Sequence, residues 1–301
     1  MFKQKLRICE LFAGIGGFRL GIEQALGTEN TDFVYVSEWD KYAAQTYEKN
    51  FSWKPDTRDI KLVSTTEIPD HDLLCGGFPC QSFSIAGKRG GFNDTRGTMF
   101  FEVARIVKDK RPTYLLLENV KGLLSHDNGR TFETIMRTLN ELGYECQWQV
   151  LNSKNFGVAQ NRERVFIIGN LRGKSRPKIF PITGDDTESI KQRQEVCATL
   201  KSRYPGDWNG NYIARQPLKF LQRNQKNITG DYVYTIDSAN TGGLNVNGSI
   251  RRLTPTECLR LQGFPDTWFD VEGLSDTQKY KQVGNAVTVP VVMAIMVRME
   301  N

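Results

Sequence analysis

A cysteine in a loop flanked by glycine and proline is the residue of this sequence best suited to covalent chemistry. The apolar run at 72–75 predicts the end of a buried strand, and Gly76 and Gly77 predict a sharp exit from it. Pro79 then fixes φ just before Cys80. Open α/β sheets bind ligands beyond the carboxyl ends of their strands, so Cys80 is the candidate nucleophile. A lone cysteine can also be a small buried core residue, which this polar setting disfavours.

A glutamate follows a second apolar strand. Residues 114–117 predict a buried strand that delivers Glu118, Asn119 and Val120 to the sheet edge that carries Cys80. Partial desolvation would raise the pKa of Glu118, so its carboxyl group could carry a proton near neutrality. The alternative is a glutamate that caps the following turn.

Three hydrogen-bond donors alternate along a third segment. In an extended chain Gln160, Arg162 and Arg164 point to one face, because successive side chains alternate. Three donors facing a cleft suit a flat heterocycle or a phosphate. An exposed, salt-bridged edge would have the same spacing.

The N-terminal part predicts a nucleoside pocket. A strand at 7–12 runs into Gly14, Gly16 and Gly17, and glycines let the backbone approach a ligand closely. A second strand at 33–37 ends at Glu38 and Trp39, which suit ribose hydroxyls and an adenine face. Neither G-x-G-x-x-G nor a P-loop occurs, which favours a nucleoside without a phosphate tail. Asp59 and Ile60 could close the adenine pocket, although Asp59 could equally be a helix cap.

The remaining predicted elements complete an α/β pattern. Apolar periodicity predicts helices at 18–26, 99–107, 131–142 and 289–297 and strands at 147–151 and 165–169. Thr254, Pro255 and Glu257 form a capping box that begins another helix. The last helix is so apolar that it needs the sheet to cover it, so we expect the chain to return there.

Composition excludes several classes of protein. Of the 301 residues, 39% are hydrophobic and 25% charged, as in soluble globular proteins. No apolar run approaches 18 residues, and the N-terminal apolar stretch is soon broken, so we expect neither a membrane span nor a signal peptide. The six scattered cysteines and two histidines indicate no metal site and no disulfide framework, and a reducing cell interior follows.

Positive charge is concentrated in one segment. Residues 172–250 hold twelve Lys and Arg against seven Asp and Glu, with aromatic residues interspersed. This texture predicts a second, smaller domain of short strands and loops that lies on a polyanion.

Eight segments, in this order, resemble the cytosine-5 DNA methyltransferases of the bacterial modification type. They lie at 12–18, 38–39, 59–60, 78–81, 118–120, 160–164, 252–265 and 284–287. Only residues 172–250 lie outside the resemblance, where that family keeps its variable target-recognition region.

The resemblance implies the fold class and the domains. We expect an α/β protein with the Rossmann-like mixed sheet of S-adenosylmethionine (SAM)-dependent methyltransferases flanked by helices, and a smaller, irregular, β-rich target-recognition domain. The large domain would comprise 1–178 and 280–301, and the small domain 179–279.

The resemblance also implies the ligands. SAM would be the methyl donor, S-adenosyl-L-homocysteine the product and duplex DNA the partner. The residues expected to bind the cofactor are Phe12, Gly14, Ile15, Gly16, Glu38, Trp39, Asp59, Ile60, Met99 and Asn285. Those expected to contact DNA are Gln81, Ser84, Lys88, Arg89, Arg96, Gln160 and Thr235.

The implied catalytic residues are Cys80, Glu118, Arg162 and Arg164. Cys80 would add to carbon 6 of an extruded cytosine, which makes carbon 5 nucleophilic. Glu118 would stabilise ring nitrogen 3, Arg164 would hold the exocyclic oxygen, and Arg162 would support Glu118 or the backbone. The loop at 81–98 would close behind the base, and no metal would be required.

Alternatives remain on the same residues. The same fold could methylate cytosine in tRNA, or the protein could be a catalytically silent DNA-binding module. An amino-group methyltransferase would carry [DN]-P-P-[YF] where this chain has Phe78, Pro79, Cys80 and Gln81. We expect a monomer in the cytoplasm, at the nucleoid of a bacterial or phage-infected cell, with a restriction endonuclease acting on the same site as a possible partner.

Overall fold

The computed structural model describes residues 4–79, 99–174, 177–182 and 253–300, together with the backbone of five short strands between 218 and 251. The statements below concern these residues.

One mixed sheet of six strands organises the described chain. Its strands lie in the order β2-β1-β3-β4-β7-β5. They are β1 (Leu6–Leu11), β2 (Thr31–Ser37), β3 (Leu73–Gly77), β4 (Tyr114–Val120), β5 (Tyr144–Asn152) and β7 (Glu163–Leu171), and the two-residue β6 (Gln160–Asn161) precedes β7. The first four in spatial order are parallel, and β7 is antiparallel to β4 and β5. The carboxyl ends of β1 to β4 therefore meet at one edge.

Seven α-helices are described. They are α1 (Gly17–Leu26), α2 (Lys41–Phe51), α3 (Met99–Lys110), α4 (Arg130–Glu141), α5 (Pro255–Gln262), α6 (Asp276–Asn285) and α7 (Val289–Glu300). The predicted capping box begins α5: Thr254 accepts from the Glu257 N–H, and Glu257 accepts from the Thr254 N–H. That prediction is confirmed.

The sheet is covered on both faces, as strands with continuous apolar runs require. Residues of β1, β3 and β7 pack with α1 and α7 on one face and with α3 and α4 on the other. Helices α1 and α7 lie very close, because a Cβ on Gly21 would be 2.7 Å from Val292 Cβ. The apolar last helix thus returns to the sheet, as predicted.

The prediction of a sharp exit at Gly76 and Gly77 is wrong. Both glycines lie inside β3, where Gly76 pairs with Leu11 and Gly77 with Glu118. A Cβ on Gly76 would be 2.3 Å from the Leu11 carbonyl oxygen. These glycines allow close approach between neighbouring strands, so the strand reaches two residues nearer to Cys80.

A second sheet lies in the basic segment. It is antiparallel, in the order β12-β11-β8-β9, and consists of β8 (Leu218–Leu221), β9 (Asn227–Gly230), β11 (Gly243–Val246) and β12 (Ser249–Arg251). Between them β10 (Val233–Tyr234) pairs in parallel with β6. A strand of the basic segment thus joins the chain just before Arg162.

The predicted domain boundaries stay predictions. Ile179, Phe180 and Ile182 pack in the same cluster as α7. Trp268 packs with Ile15, and its indole N–H donates to the Ile15 carbonyl oxygen at 3.0 Å. Residues 179–182 thus pack with the large sheet and its helices, and Trp268 packs with the glycine turn after β1.

The stretch Asp276–Glu300 is long and apolar enough, by length and composition alone, to cross a membrane. Yet 89% of its most apolar window is buried in the protein, and it comprises two helices. These features are typical of a core helix.

Candidate functional site

The ends of β3 and β4 hold the chain that leads to Cys80. Gly77 pairs with Glu118, and a Cβ on Gly77 would be 3.0 Å from Glu118 Oε2. The Asn119 side-chain amide donates to the Phe78 carbonyl oxygen at 2.7 Å. The carboxyl group of Glu118 therefore lies beside the backbone three residues before Cys80, which itself lies outside the described residues.

Glu118 forms a sheltered ion pair. Its Oε1 is 3.1 Å from Arg164 Nε, and the two side chains are only 13% and 15% exposed. Burial raises the pKa of Glu118, and the charges of Arg164 and Arg162 offset part of that rise. The predicted partial desolvation is confirmed. Because Glu118 lies within β4, the turn-capping alternative is wrong.

The alternation predicted for the third segment is seen in part: Gln160 and Arg162 are buried and Glu163 is exposed, whereas Asn161 and Arg164 are both half-buried. The two arginines nevertheless differ in their contacts. Arg162 Nη2 donates to the carbonyl oxygens of Gly284 and Ala286, at 3.1 and 3.0 Å. Arg162 thus supports the backbone, the second of the two supporting roles expected of it.

Gln160 is fully buried in the described structure, and neither atom of its side-chain amide has a hydrogen-bond partner there. Its backbone pairs with Val233 of β10. The predicted DNA contact of Gln160 stays a prediction.

A strained turn forms the floor of the predicted nucleoside pocket. Phe12, Gly14 and Gly16 all have positive φ, at 55°, 57° and 85°. A Cβ on Gly14 would meet no atom within 4 Å, whereas one on Gly16 would lie 2.2 Å from Phe51. Gly14 therefore faces open space that a ligand could fill, and Gly16 serves close packing beneath it.

The end of β2 supplies an acid and an aromatic ring. Glu38 is buried, and its two oxygens accept the N–H groups of Gly14 and Asp40 at 2.7 and 2.8 Å. Burial raises the pKa of Glu38, and those N–H groups oppose the rise. Each carboxylate oxygen can accept a second hydrogen bond, for example from a ribose hydroxyl. Trp39 beside it is 76% exposed, which leaves its ring free to stack on a base.

The other residues expected to bind the cofactor differ in their exposure and contacts. Asp59 caps the 3-10 helix Ile60–Leu62 by accepting from the Lys61 N–H, the alternative that its position allowed. Ile15 and Ile60 are buried and offer a ligand little surface. Met99 is half-buried at the start of α3, and Asn285 is exposed at the end of α6. All remain predictions as cofactor contacts.

Several predicted site residues lie outside the described part of the chain. They are Cys80, Gln81, Ser84, Lys88, Arg89, Arg96 and Thr235.

The four described cysteines are poor nucleophiles. Burial raises the pKa of Cys9 and Cys75 far above the usual range, and that of Cys146 and Cys258 to about 12. A thiol needs a low pKa to react as thiolate near neutrality. None of these four competes with Cys80 for the nucleophilic role.

Sequence reasoning assigned no role to Asn119, which anchors Phe78, and it took Gly77 for a turn residue and not for one that makes room for Glu118. The sequence signal that could have identified Asn119 is its position. An amide directly after a glutamate at the end of an apolar strand can reach the backbone of the neighbouring strand.

Comparison with known proteins decides the family. The model of the family "C-5 cytosine-specific DNA methylase" matches residues 6–301. The chain belongs to this family. The methylase is 42% identical to the Type II methyltransferase M1.ScrFI of Lactococcus lactis subsp. cremoris, over 98% of this chain and 78% of that protein. It is 40% identical to the Type II methyltransferase M.HhaI of Haemophilus parahaemolyticus, over 96% and 93%.

The fold agrees with this assignment. The crystal structure of the S. pombe Dnmt2 methyltransferase superposes with a TM-score of 0.72 at 20% identity, over 98% of each chain. The methylase therefore has the α/β methyltransferase fold and is an enzyme that methylates carbon 5 of cytosine in DNA. The amino-group alternative is thereby wrong.

Proposed function

We propose that the methylase transfers a methyl group from SAM to cytosine within one duplex DNA sequence, through a covalent bond between Cys80 and carbon 6. The observation that carries this proposal is the sheltered Glu118–Arg164 pair beside the backbone that leads to Cys80. A planar base that needs one proton donor and one cation would bind against this pair.

The reaction needs these residue types in turn. The Cys80 thiolate bonds to carbon 6, and the electrons of the 5,6 double bond move to carbon 5. A proton from Glu118 on ring nitrogen 3 neutralises the charge that develops on the ring. Carbon 5 then takes the methyl group, and S-adenosyl-L-homocysteine would be the leaving product. A base removes the hydrogen from carbon 5, the electrons of that C–H bond re-form the 5,6 double bond and expel the Cys80 thiolate, and nitrogen 3 returns its proton to Glu118.

Glu118 suits the acid role because its pKa is raised. Desolvation favours the protonated form, and Arg164 beside it keeps the pKa from rising further. Arg164 has additional N–H groups with which to hold the exocyclic oxygen. Glu118, when protonated, thus supplies the proton, and Arg164 beside it supplies the cation.

Features at the β2 end of the same sheet edge, away from β4, support a pocket for the methyl donor there. Open space over Gly14, the unused acceptor capacity of Glu38 and the exposed ring of Trp39 fit an adenosine. When bound, SAM supplies an electrophilic methyl group. Three strand spacings separate β2 from β4, roughly 14 Å, which is comparable to the length of a nucleoside bearing an amino-acid chain.

DNA contact rests on charge and on strand pairing. The basic segment would lie on the duplex, and β10 ties it to β6 next to the catalytic arginines. The target base would swing out of the stack at a cost of a few kcal/mol. Gln81, Ser84, Lys88, Arg89, Arg96 and Thr235 would make the DNA contacts.

The biological setting is also part of the proposal. The methylase would act as a monomer in the cytoplasm, at the nucleoid of a bacterial or phage-infected cell. Its relatives' names, Type II methyltransferases, favour a restriction endonuclease that acts on the same site without direct contact.

Bisulfite sequencing of DNA from cells that express the methylase tests the proposal. We expect protected cytosines in one recurring sequence, and none with Cys80→Ala, although that variant should still bind SAM. Purified enzyme is offered duplex DNA and tRNA side by side. Preferential methylation of tRNA, or equal protection by Cys80→Ala, would overturn the proposal in its present form.

A further inference from the structure

Arg162 holds a turn that is distant in sequence. Its side chain is 2% exposed, and one nitrogen, Nη2, donates to the carbonyl oxygens of both Gly284 and Ala286. These two residues flank the exposed Asn285, where α6 ends. The guanidinium therefore binds the backbone on both sides of the exposed Asn285.

A second set of buried hydrogen bonds holds the same turn in place. The Ser153 N–H donates to the Arg162 carbonyl oxygen at 3.0 Å, and the Ser153 and Thr288 hydroxyls are 2.8 Å apart. Thr288 donates to Gln262 Oε1 at 2.6 Å, and the Gln262 amide donates to the Val283 carbonyl oxygen at 3.2 Å. We call residues 283–288 the α6–α7 junction. Hydrogen bonds join this junction to Arg162, to Ser153 and to Gln262.

The junction also packs against the glycine turn that lies beneath the predicted nucleoside pocket. A Cβ on Gly17 would be 2.7 Å from Val287 Cγ1 and 2.8 Å from the Val287 carbonyl oxygen. Ile15, Val283 and Ala286 belong to one buried cluster. Any movement of the junction would therefore displace the glycine turn against which it packs.

We propose that Arg162 is a positioning residue, which fixes the α6–α7 junction and thereby the donor pocket, and does not act on the base. This inference rests on the proposed function, because it takes the pocket over Gly14 as the SAM site. Arg162 would thus determine how tightly SAM binds, whereas Arg164, paired with Glu118, would determine how fast the base reacts.

The chemistry of the two contacts explains why arginine is needed. A buried cation that loses its hydrogen-bond partners is strongly destabilising, so Arg162 favours the junction geometry that presents both carbonyl oxygens. Lysine keeps the charge but has no planar fork, and its ammonium group cannot reproduce the contacts of a guanidinium. Arg162→Lys should therefore loosen the junction.

The test is a set of SAM dissociation constants measured by calorimetry without DNA. Arg162→Lys should weaken SAM binding about tenfold, and Asn285→Ala by a similar factor. The double variant should lose little more than the weaker-binding single variant, since residues that act through one another are not additive. The matched control Arg164→Lys should keep its SAM affinity within about twofold and should slow methyl transfer.

Steady-state kinetics separate positioning from a general structural defect. Arg162→Lys should raise the KM for SAM while most of kcat returns at saturating SAM. Unchanged SAM affinity with a lowered kcat, or full additivity with Asn285→Ala, would overturn the inference.

Thr288→Val provides a milder probe in case Arg162→Lys fails to fold. It removes the hydroxyl that links Ser153 to Gln262, and it should weaken SAM binding severalfold. Unchanged binding in a folded Thr288→Val variant would count against the inference. Failure of the proposed function is distinguishable, because the wild-type protein itself would then bind no SAM.

Discussion

Replacing Glu118 by glutamine removes the acidic proton and nearly preserves the shape of the side chain. Glutamine keeps an oxygen that can accept from Arg164 Nε, now 3.1 Å from Glu118 Oε1, but it cannot supply a carboxylic proton to ring nitrogen 3. General acid catalysis contributes roughly 10²- to 10⁴-fold, so we expect kcat to fall by that factor, about 3 to 5 kcal/mol of transition-state stabilisation.

The stability of the protein should change far less. Burial raises the pKa of Glu118, so the folded protein binds its proton more tightly than the unfolded chain does. Any stability from this group is present below the unfolded pKa and is lost as pH rises through the folded pKa. Above that range the substitution removes the cost of a buried carboxylate and weakens an ion pair, two effects that oppose each other.

Single-turnover methyl transfer measured from pH 5 to pH 9 is the assay. The wild-type rate should fall at high pH as Glu118 loses its proton, and this limb should vanish in Glu118→Gln. The matched control is Glu163→Gln, which alters an exposed ion pair with Lys121, just beyond the end of β4, and should leave the rate unchanged. A Glu118→Gln rate within tenfold of wild type, or a surviving high-pH limb, would refute the reasoning.

Three further predictions concern other parts of the methylase. DNA with 5-fluorocytosine at the target should trap the enzyme, because fluorine cannot leave carbon 5 as a cation; peptide mapping should find the bond at Cys80, and attachment elsewhere would contradict the mechanism. Trp39→Ala should weaken SAM binding by about 1 to 2 kcal/mol through lost stacking, whereas the exposed Trp148→Ala should not, as calorimetry can check. Burial raises the pKa of Glu10 to about 8, and Tyr47 donates to its carboxyl at 2.8 Å. Its contribution to stability is therefore lost as pH rises from roughly 4.5 through 8, and Glu10→Gln should raise the Tm at pH 9 but not at pH 4, a pattern that calorimetry at the two pH values would reveal or exclude.

Local sequence rules predicted much of the fold. The order of strand, glycine turn and helix at the N-terminus, and the capping box at Thr254, depend on residues within a few positions of one another. The apolar run before Glu118 identified a partly desolvated carboxyl group for the same reason. Such features are determined by sequence alone, because the groups that interact are neighbours along the chain.

Contacts between distant residues were decided only by the tertiary structure. Alternation placed Arg162 and Arg164 on one face, yet one binds backbone 122 and 124 residues away and the other pairs with Glu118. Gly76 and Gly77 have the composition of a turn, but the closeness of Leu11 and Glu118 keeps them in a strand. Which strand lies beside which, and which carbonyl oxygen meets a buried cation, depends on how the whole sheet is assembled, and no short stretch of sequence contains that information.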